Sequence, residues 1–546
     1  MASRESDWRE DAENSILLKA VSHWREDPGE WFQGSYDRLP ETVRVNPMSQ
    51  EKDWVESWLS GIGATRIPWF SGPGGAWEMP FDRGAATGEV KSMMTALHET
   101  GRFTRQEAVS MLPVLALDPL PGEIILDLCA SPGSKTTQIC EHLGDSGAVI
   151  ANEVISGRVN TLVTNVQRHA SRTAVVVQHD GRHIPRVPGA GFDAVLVDVP
   201  CTGSGTTRKN PDVWGKWRPS SGVSLHSLQH DLLSRAIAVT KPGGRVVYST
   251  CSLDPIENEA VVARAIEGGK VRVIPCADSL SEVPSTPGMA GWPLLDDNGD
   301  LDVQSTHEDY LLAPEDERIA SQLRCCLRVW NDEIGGGGFF LAVLEKIEDD
   351  IGTKSIDPIP SPKTFEDPES FPRPINENWN DELREAWGSV PSGMWSRGKS
   401  LLWSSDEIRG IWDADRTRKS GRELIPGGRW RPLKVIHLGL IAARLRKGRL
   451  DRLVSRAARR LREEISGPFV NVDDCIIDDI LQGKEPLRTE LDSLEDGEGG
   501  SRILVGDSGY CLAVWVGNRV TPMVSESESI VMRGVRDLPF DPQEEE

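Results

Sequence analysis

Ala194-Val195-Leu196-Val197-Asp198-Val199-Pro200-Cys201 is the stretch that decides how this chain folds. An apolar run closed by an acid and a proline is the pattern of a strand buried on both faces of a parallel sheet. A second run ends the same way: Arg245-Val246-Val247-Tyr248-Ser249-Thr250-Cys251-Ser252. In each, a cysteine falls at or just past the strand's C-terminal end. In open α/β sheets that edge is where ligands bind and chemistry happens. Two thiols delivered to one rim suggest covalent chemistry more than core filling.

Outward from these runs the sequence alternates as a doubly wound domain does. The other expected strands are Ile124–Leu128, Ala148–Asn152 and Ala174–Gln178, with Phe339–Leu344 as a late strand after the glycines at 335–338. Thr104-Arg105-Gln106-Glu107 has the form of a capping box and predicts a helix through Leu112. Seven tryptophans precede residue 100, and most of them read as core; one or two are candidates for stacking on unpaired bases. Residues 348–374, rich in Pro, Ser, Asp and Glu, read as a linker. The acidic end, residues 541–546, reads as a disordered tail.

The first strand runs into Cys129-Ala130-Ser131-Pro132-Gly133-Ser134-Lys135, followed by helical sequence. Small residues and a glycine let a ligand approach the backbone, and the helix N-terminus offers unpaired amides. The second strand ends in Asn152-Glu153, and an acid there suits ribose hydroxyls. The third ends in Gln178-His179-Asp180, where Asp180 can accept from an adenine amino group. The glycine spacing matches neither the phosphate loop nor the dinucleotide fingerprint. The expected ligand is therefore S-adenosyl-L-methionine. Lys135 is either a contact to that ligand or a helix-start surface residue. Cys129 and Cys140 read as packing residues, with Cys129 lending its backbone to the loop.

Composition bounds the class. The chain has 546 residues, 84 acids and 61 Lys/Arg, for a net charge of −23. That balance, taken alone, argues against a polyanion as partner. Its distribution reverses the argument. Between Arg416 and Arg462 stand sixteen Lys/Arg and two acids, a basic stripe on an acidic body. The nine cysteines include no C-x-x-C pair and no Cys/His cluster at zinc spacing, so no metal is expected. No apolar run reaches the roughly 18 residues of a membrane span. The acidic Met1–Glu13 is unlike a secretion signal. These features lead us to expect a cytoplasmic protein (nuclear if eukaryotic), a monomer, with no membrane partner.

Several long motifs then resemble one family: residues 105–111, 129–135, Asp198 to Gly205, Arg208-Lys209-Asn210, Ser249 to Ala260, and Gly337-Gly338-Phe339-Phe340. They are similar to the Sun-domain RNA cytosine-5 methyltransferases, and most like the eukaryotic-type tRNA enzymes. The similarity runs from about residue 10 to 346. It returns faintly at Leu433–Gly439, in the region where that subfamily carries a PUA-like RNA-binding domain. The resemblance implies an α/β, Rossmann-like methyltransferase core over 104–347. It implies an N-terminal RNA-recognition region over 1–103 and a C-terminal α+β, PUA-like domain over 375–546. Carried over by position, it makes Cys251 the nucleophile and Cys201 the product-release cysteine. Asp198 holds the target base, and residues 129–135 with Glu153, Asp180 and Asp198 bind the methyl donor. The family usually has Asp where Glu153 stands, and a different loop where Asn331-Asp332-Glu333-Ile334-Gly335 stands.

Such chemistry explains two cysteines. A thiolate added to C6 gives cytosine C5 the negative character it needs to take a methyl group, and a second thiol assists removal of the C5 proton. RNA, with tRNA favoured, is the expected partner, because its loops present loosened bases. Lys209 and Asn210 either line the substrate groove or close a turn. Arg444, Arg446, Arg449 and Arg452 of the stripe are expected to bind phosphates, the bland alternative being an amphipathic helix that begins at Ile441. Competing readings are an rRNA methyltransferase, an RNA-binding assembly factor with vestigial activity, and a nitrogen methyltransferase. The last would need no cysteine pair.

Overall fold

A computed structural model describes residues 2–275, 280–303, 306–347, 359–360, 371–417, 423–425, 427–428, 430, 433–491 and 499–539. Most of the expected linker lies outside these residues, as do Arg418, Lys419, Arg422, Arg429 and Arg431 of the basic stripe and the acidic tail.

Five parallel strands form the centre of the main sheet. Their spatial order is Thr240–Thr250, Phe192–Asp198, Ile124–Asp127, Ala148–Asn152, Ala174–Gln178. The order reverses beside Ile124–Asp127, the switch point at which such sheets open a crevice. Phe339–Lys346 adds antiparallel to Thr240–Thr250. Alternate residues serve opposite faces. Ile125, Ala194, Leu196 and Val247 pack under the helices Leu112–Leu117, Ser134–Leu143 and Ser156–His169. Leu126, Val195, Val197 and Val246 pack under Pro219–Val239 and Glu259–Glu267. Both faces are covered, so the strands read as unbroken apolar runs.

The predicted capping box does not form. Phe103–Arg105 is a strand, paired antiparallel to Pro40–Val45; a short 3-10 helix, Ala108–Met111, follows, and the next α-helix begins only at Leu112. The reason is tertiary. Gln106 is drawn to a buried arginine, Arg44 of the facing strand, with which its amide oxygen bonds. Glu107 turns to accept from the Gly337 amide at 3.0 Å instead of closing on Thr104. Arg44 is fully buried and also donates to Glu141 (2.5 Å), to Thr137 (3.0 Å) and to the Ser134 carbonyl (3.3 Å). It thereby fixes the N-terminal sheet to the helix that follows the 129–135 loop. Burial alone would raise the Glu141 carboxyl; Arg44 and His169 more than offset it and hold it low.

Of the N-terminal tryptophans, Trp24, Trp31, Trp69 and Trp77 are buried and Trp8, Trp54 and Trp58 partly so. Trp24 and Trp31 pack edge-on against Trp217 and Trp214 of the core.

The sheet does not end with the core residues. Lys434–Leu438 pairs antiparallel with Ala174–Gln178 and extends it from the far end of the chain. The faint similarity at 433–439 thus falls on this added strand. The stripe after it is not helical. Leu440–Arg446 and Arg449–Leu453 form an antiparallel hairpin. Its two-residue turn, Lys447-Gly448, has φ of 50° and 76°, the backbone of a tight hairpin turn. That turn overrides the helical spacing from Ile441. A second sheet, Phe469–Val472, Gly500–Gly506, Cys511–Val516 and Val520–Pro522, completes the C-terminal α+β region. Arg102 joins it to the N-terminal region through a buried bidentate pair with Glu528 at 2.7 and 2.8 Å.

Replacing Arg44 by Ala would leave Glu141 buried with only His169 beside it. The expected cost is about 3–5 kcal/mol of unfolding free energy. Denaturant titration of the two proteins measures it; a loss under 1 kcal/mol would contradict this role for the pair.

Candidate active site

Strand register brings the site together. Asp198 lies level with Ser249 in the parallel ladder. The chain turns just beyond both, so Cys201 and Cys251 meet, their sulfurs 3.3 Å apart and both partly exposed. Their contact raises the Cys201 thiol well above the ordinary range: the hydrogen bond to Cys251 contributes most and burial adds to it.

Asp198 is held from two sides. Ser249 Oγ donates to one oxygen at 2.9 Å and Lys135 Nζ to the other at 2.7 Å. Lys135 also donates to Ser110 Oγ at 2.9 Å and lies 5.7 Å from the Phe339 ring centroid. Burial disfavours its charge, but Asp198, Asp127 and Cys251 outweigh that and raise its pKa. Lys135 is thus an internal cation spanning the site, paired with Asp198 and largely withdrawn from the surface. A cavity of about 430 Å³ opens here, lined among others by Ser110, Lys135, Asp198, Cys251 and Phe339 on the core side and by Thr42 and Arg83 from the N-terminal region.

The 129–135 loop, expected from sequence to hold the methyl donor, is a tight turn. Gly133 takes φ +111°, and a Cβ there would come within 2.9 Å of Leu162. The loop is tied from behind: Ala130 N donates to the Asn152 carbonyl at 2.9 Å, Arg158 to the Ser131 carbonyl at 2.8 Å, and Asn165 to the Pro132 carbonyl at 2.7 Å. Ser134 opens a ten-residue helix. Burial pushes the Cys129 thiol far up, in keeping with a packing role. Asn152 Oδ1, at the second strand's end, is buried without a hydrogen-bond partner among the described residues. Glu153 is buried, accepts from Ile155 N at 2.9 Å and faces Arg158 at 3.5 Å. Asp180 is gripped by Arg182, whose hydrogen bonds lower its pKa. Glu153 and Asp180 do not line the 430 Å³ cavity; they stand at the ends of the next two strands.

Lys209 lines that cavity and lies 3.6 Å from Glu107; Asn210 is exposed, its amide closing a turn onto the Thr206 carbonyl at 2.7 Å. Arg444, Arg446, Arg449 and Arg452 are exposed on the hairpin, away from the cavity. Register sets Arg444 opposite Arg452 and Arg446 opposite Arg449. Like charges facing across a ladder repel. Among the described residues none of the four has an acidic partner. The later arginines differ. Arg456 donates to the Glu99 and Arg168 carbonyls, Arg459 pairs with Glu51, and Arg460 pairs with Asp145. They join the C-terminal region to the rest.

Sequence reasoning missed Ser110, Ser249 and Asp127. The first two lie inside the motifs at 105–111 and 249–260, where the resemblance assigns a role only to Cys251. Asp127 is buried beneath the loop and accepts from Thr136 Oγ1 at 2.6 Å. Among the described residues no His/Cys/Asp/Glu group could hold a metal ion, and no helix is long and apolar enough to cross a membrane.

Burial pushes the Asp127 carboxyl up to about 7 against the Thr136 hydrogen bond. The folded protein thus holds a proton there that the unfolded chain releases in the ordinary carboxylate range. Its stabilising contribution is complete below that range and is lost as pH rises through about 7. Asp127→Asn should therefore gain on the wild type between about pH 4 and 7. Unfolding free energies of both proteins across that window check this; parallel curves would refute it.

Residues 114–286 match the family model described as 16S rRNA methyltransferase RsmB/F. A multisite-specific tRNA:(cytosine-C(5))-methyltransferase of Saccharomyces cerevisiae is 39% identical over 284 residues, covering 48% of this chain and 41% of that protein. Ribosomal RNA small subunit methyltransferase F of Salmonella paratyphi B is 41% identical over 230 residues, covering 41% of this chain and 46% of that protein. The chain thus spans less than half the length of these curated relatives. Among solved structures, a methyltransferase homologue from Pyrococcus horikoshii is 27% identical with a TM-score of 0.46, covering 60% of this chain and 93% of that one.

Proposed function

We propose that this chain, whose residues 114–286 match the family model described as 16S rRNA methyltransferase RsmB/F, methylates C5 of cytosine in RNA, with tRNA as substrate. One observation carries the reading: two free thiols 3.3 Å apart, one of which, Cys251, lines a cavity together with Asp198 and Lys135. A nitrogen methyltransferase has no use for such a pair. The tRNA assignment rests on the yeast relative's name and on the similarity of the motifs; ribosomal RNA is the second reading, favoured by the family description.

The residues divide the work. Cys251 Sγ adds to C6. Asp198 keeps a free lone pair on each oxygen and accepts from the exocyclic amine, while Ser249 and Lys135 keep it from turning. Lys135 adds a fixed positive charge near the ring as negative charge develops there. S-adenosyl-L-methionine, when bound, supplies an electrophilic methyl group. The tight Gly133 turn, the free helix amides and the open Asn152 acceptor suit it, and residues 129–135 with Glu153, Asp180 and Asp198 would hold it. The largest cause of the raised Cys201 pKa is its bond to Cys251. Once Cys251 is bonded to C6 its sulfur is a thioether, a weak hydrogen-bond acceptor. Cys201 can then lose its proton to water and take the one from C5 as the C6–S bond breaks.

Purified protein with labelled S-adenosylmethionine and separate tRNA and rRNA transcripts tests this. Label should appear as 5-methylcytosine in tRNA and vanish in Cys251→Ala. Label in rRNA alone would overturn the substrate. Cys201→Ala should accumulate an RNA–protein adduct that survives denaturing electrophoresis, and the double variant should not; absence of adduct in the single variant would count against the release role.

The hairpin arginines bear on RNA affinity. Changing Arg444, Arg446, Arg449 and Arg452 together to Gln should weaken binding and lower the slope of log K against log salt by about 3. An unchanged slope would free the hairpin of this role.

A further inference from the structure

The cysteines end two different strands, and neither strand alone fixes the gap between their sulfurs. The residues after them are held by one buried carboxylate. Glu257 is 0% exposed and lies just before the helix Glu259–Glu267. Its Oε2 accepts from Thr202 N at 2.9 Å and from Gln229 Nε2 at 2.9 Å. Its Oε1 accepts from Ser252 Oγ at 2.6 Å and from the Thr202 hydroxyl. Thr202 follows Cys201 and Ser252 follows Cys251. Gln229 also donates to the carbonyl of Pro200, the residue before Cys201, at 3.0 Å. Asn258 brackets the other cysteine: its amide donates to the Ser252 carbonyl at 2.8 Å, and its oxygen accepts from Thr250 Oγ1 at 2.6 Å.

We propose that Glu257 is the positioning residue that joins the two cysteine-bearing loops and sets their sulfurs at reacting distance. The chemistry of the group supports this. Four donors converge on it, and a carboxylate offers about four acceptor positions with no donor. A glutamine of the same shape would turn an amino group toward two donors. Glu257 touches neither sulfur directly, so it acts through Thr202 and Ser252. The inference rests on the reading that these thiols perform the chemistry, but its test does not need activity.

The test uses the full chain as wild type, Glu257→Gln and Thr202→Val. Diamide is added to the folded protein. The two thiols release two protons and two electrons, a sulfur–sulfur bond forms, and diamide takes up both and becomes the hydrazine. Peptide mass spectrometry follows the Cys201–Cys251 link with time. Glu257→Gln should slow its formation about tenfold or more. Turnover on RNA should fall by roughly 10² in kcat, with KM within about twofold, the signature of an ångström-scale misplacement. A folded Glu257→Gln protein that links and turns over at wild-type rates would overturn the proposal. If that variant does not fold, Thr202→Val decides: removing the hydroxyl's tie to Glu257, while the backbone amide's remains, should slow linking several-fold, and an unchanged rate refutes the role. A wild type without methyl transfer whose linking still depends on Glu257 would sink the functional reading and keep this one.

Discussion

The parallel register between Phe192–Asp198 and Thr240–Thr250 is the constraint on which the rest of this molecule depends. Setting Asp198 level with Ser249 makes two strands end together, so that the turns beyond them face each other. A register slip of one residue would move every side chain of a strand to the wrong face. The apolar alternation of Val195 and Val197 against Ala194 and Leu196 forbids it, since each set is buried under its own layer of helices. Core packing thus fixes where the sulfurs and the carboxylate arrive, and buried hydrogen bonds refine the last ångström.

The N- and C-terminal regions are fastened to this centre by buried arginines. Arg44 holds the N-terminal sheet to the helix behind the 129–135 loop, and Arg102 meets Glu528 from the C-terminal region. The loop at Asn331–Gly335 is drawn in similarly: Asp332 takes a bidentate pair from Arg25 at 2.6 and 2.8 Å. In a chain this acidic, arginines are well suited to internal ties because each meets several acceptors at once. The basic stripe illustrates the division. Its hairpin arginines face water and one another, whereas Arg456, Arg459 and Arg460 are occupied inside the protein.

Legibility in the sequence followed the range of the interactions. The parallel strands were readable because burial on both faces leaves continuous apolar runs. Cys201, Cys251, Asp198 and the 129–135 loop were readable because each sits at a strand end within a contiguous motif. Thr104–Glu107 misled because its helix-starting pattern is overridden by Arg44, some 60 residues earlier in sequence. The hairpin after Leu440 was hidden by helical spacing, although Lys447-Gly448 carries the local turn signal. Glu257 was invisible as a tie, because its donors come from Thr202, Gln229 and Ser252, on three separate elements.

The strand Lys434–Leu438 has a consequence for how this protein is born. It covers the outer rim of Ala174–Gln178, which would otherwise present unpaired amides and carbonyls along an apolar ribbon. On the ribosome that rim emerges long before its cover is synthesised. Translation at about 5–20 residues per second leaves an open edge for on the order of ten seconds or more. Until then the nascent sheet is a template for any other extended chain nearby.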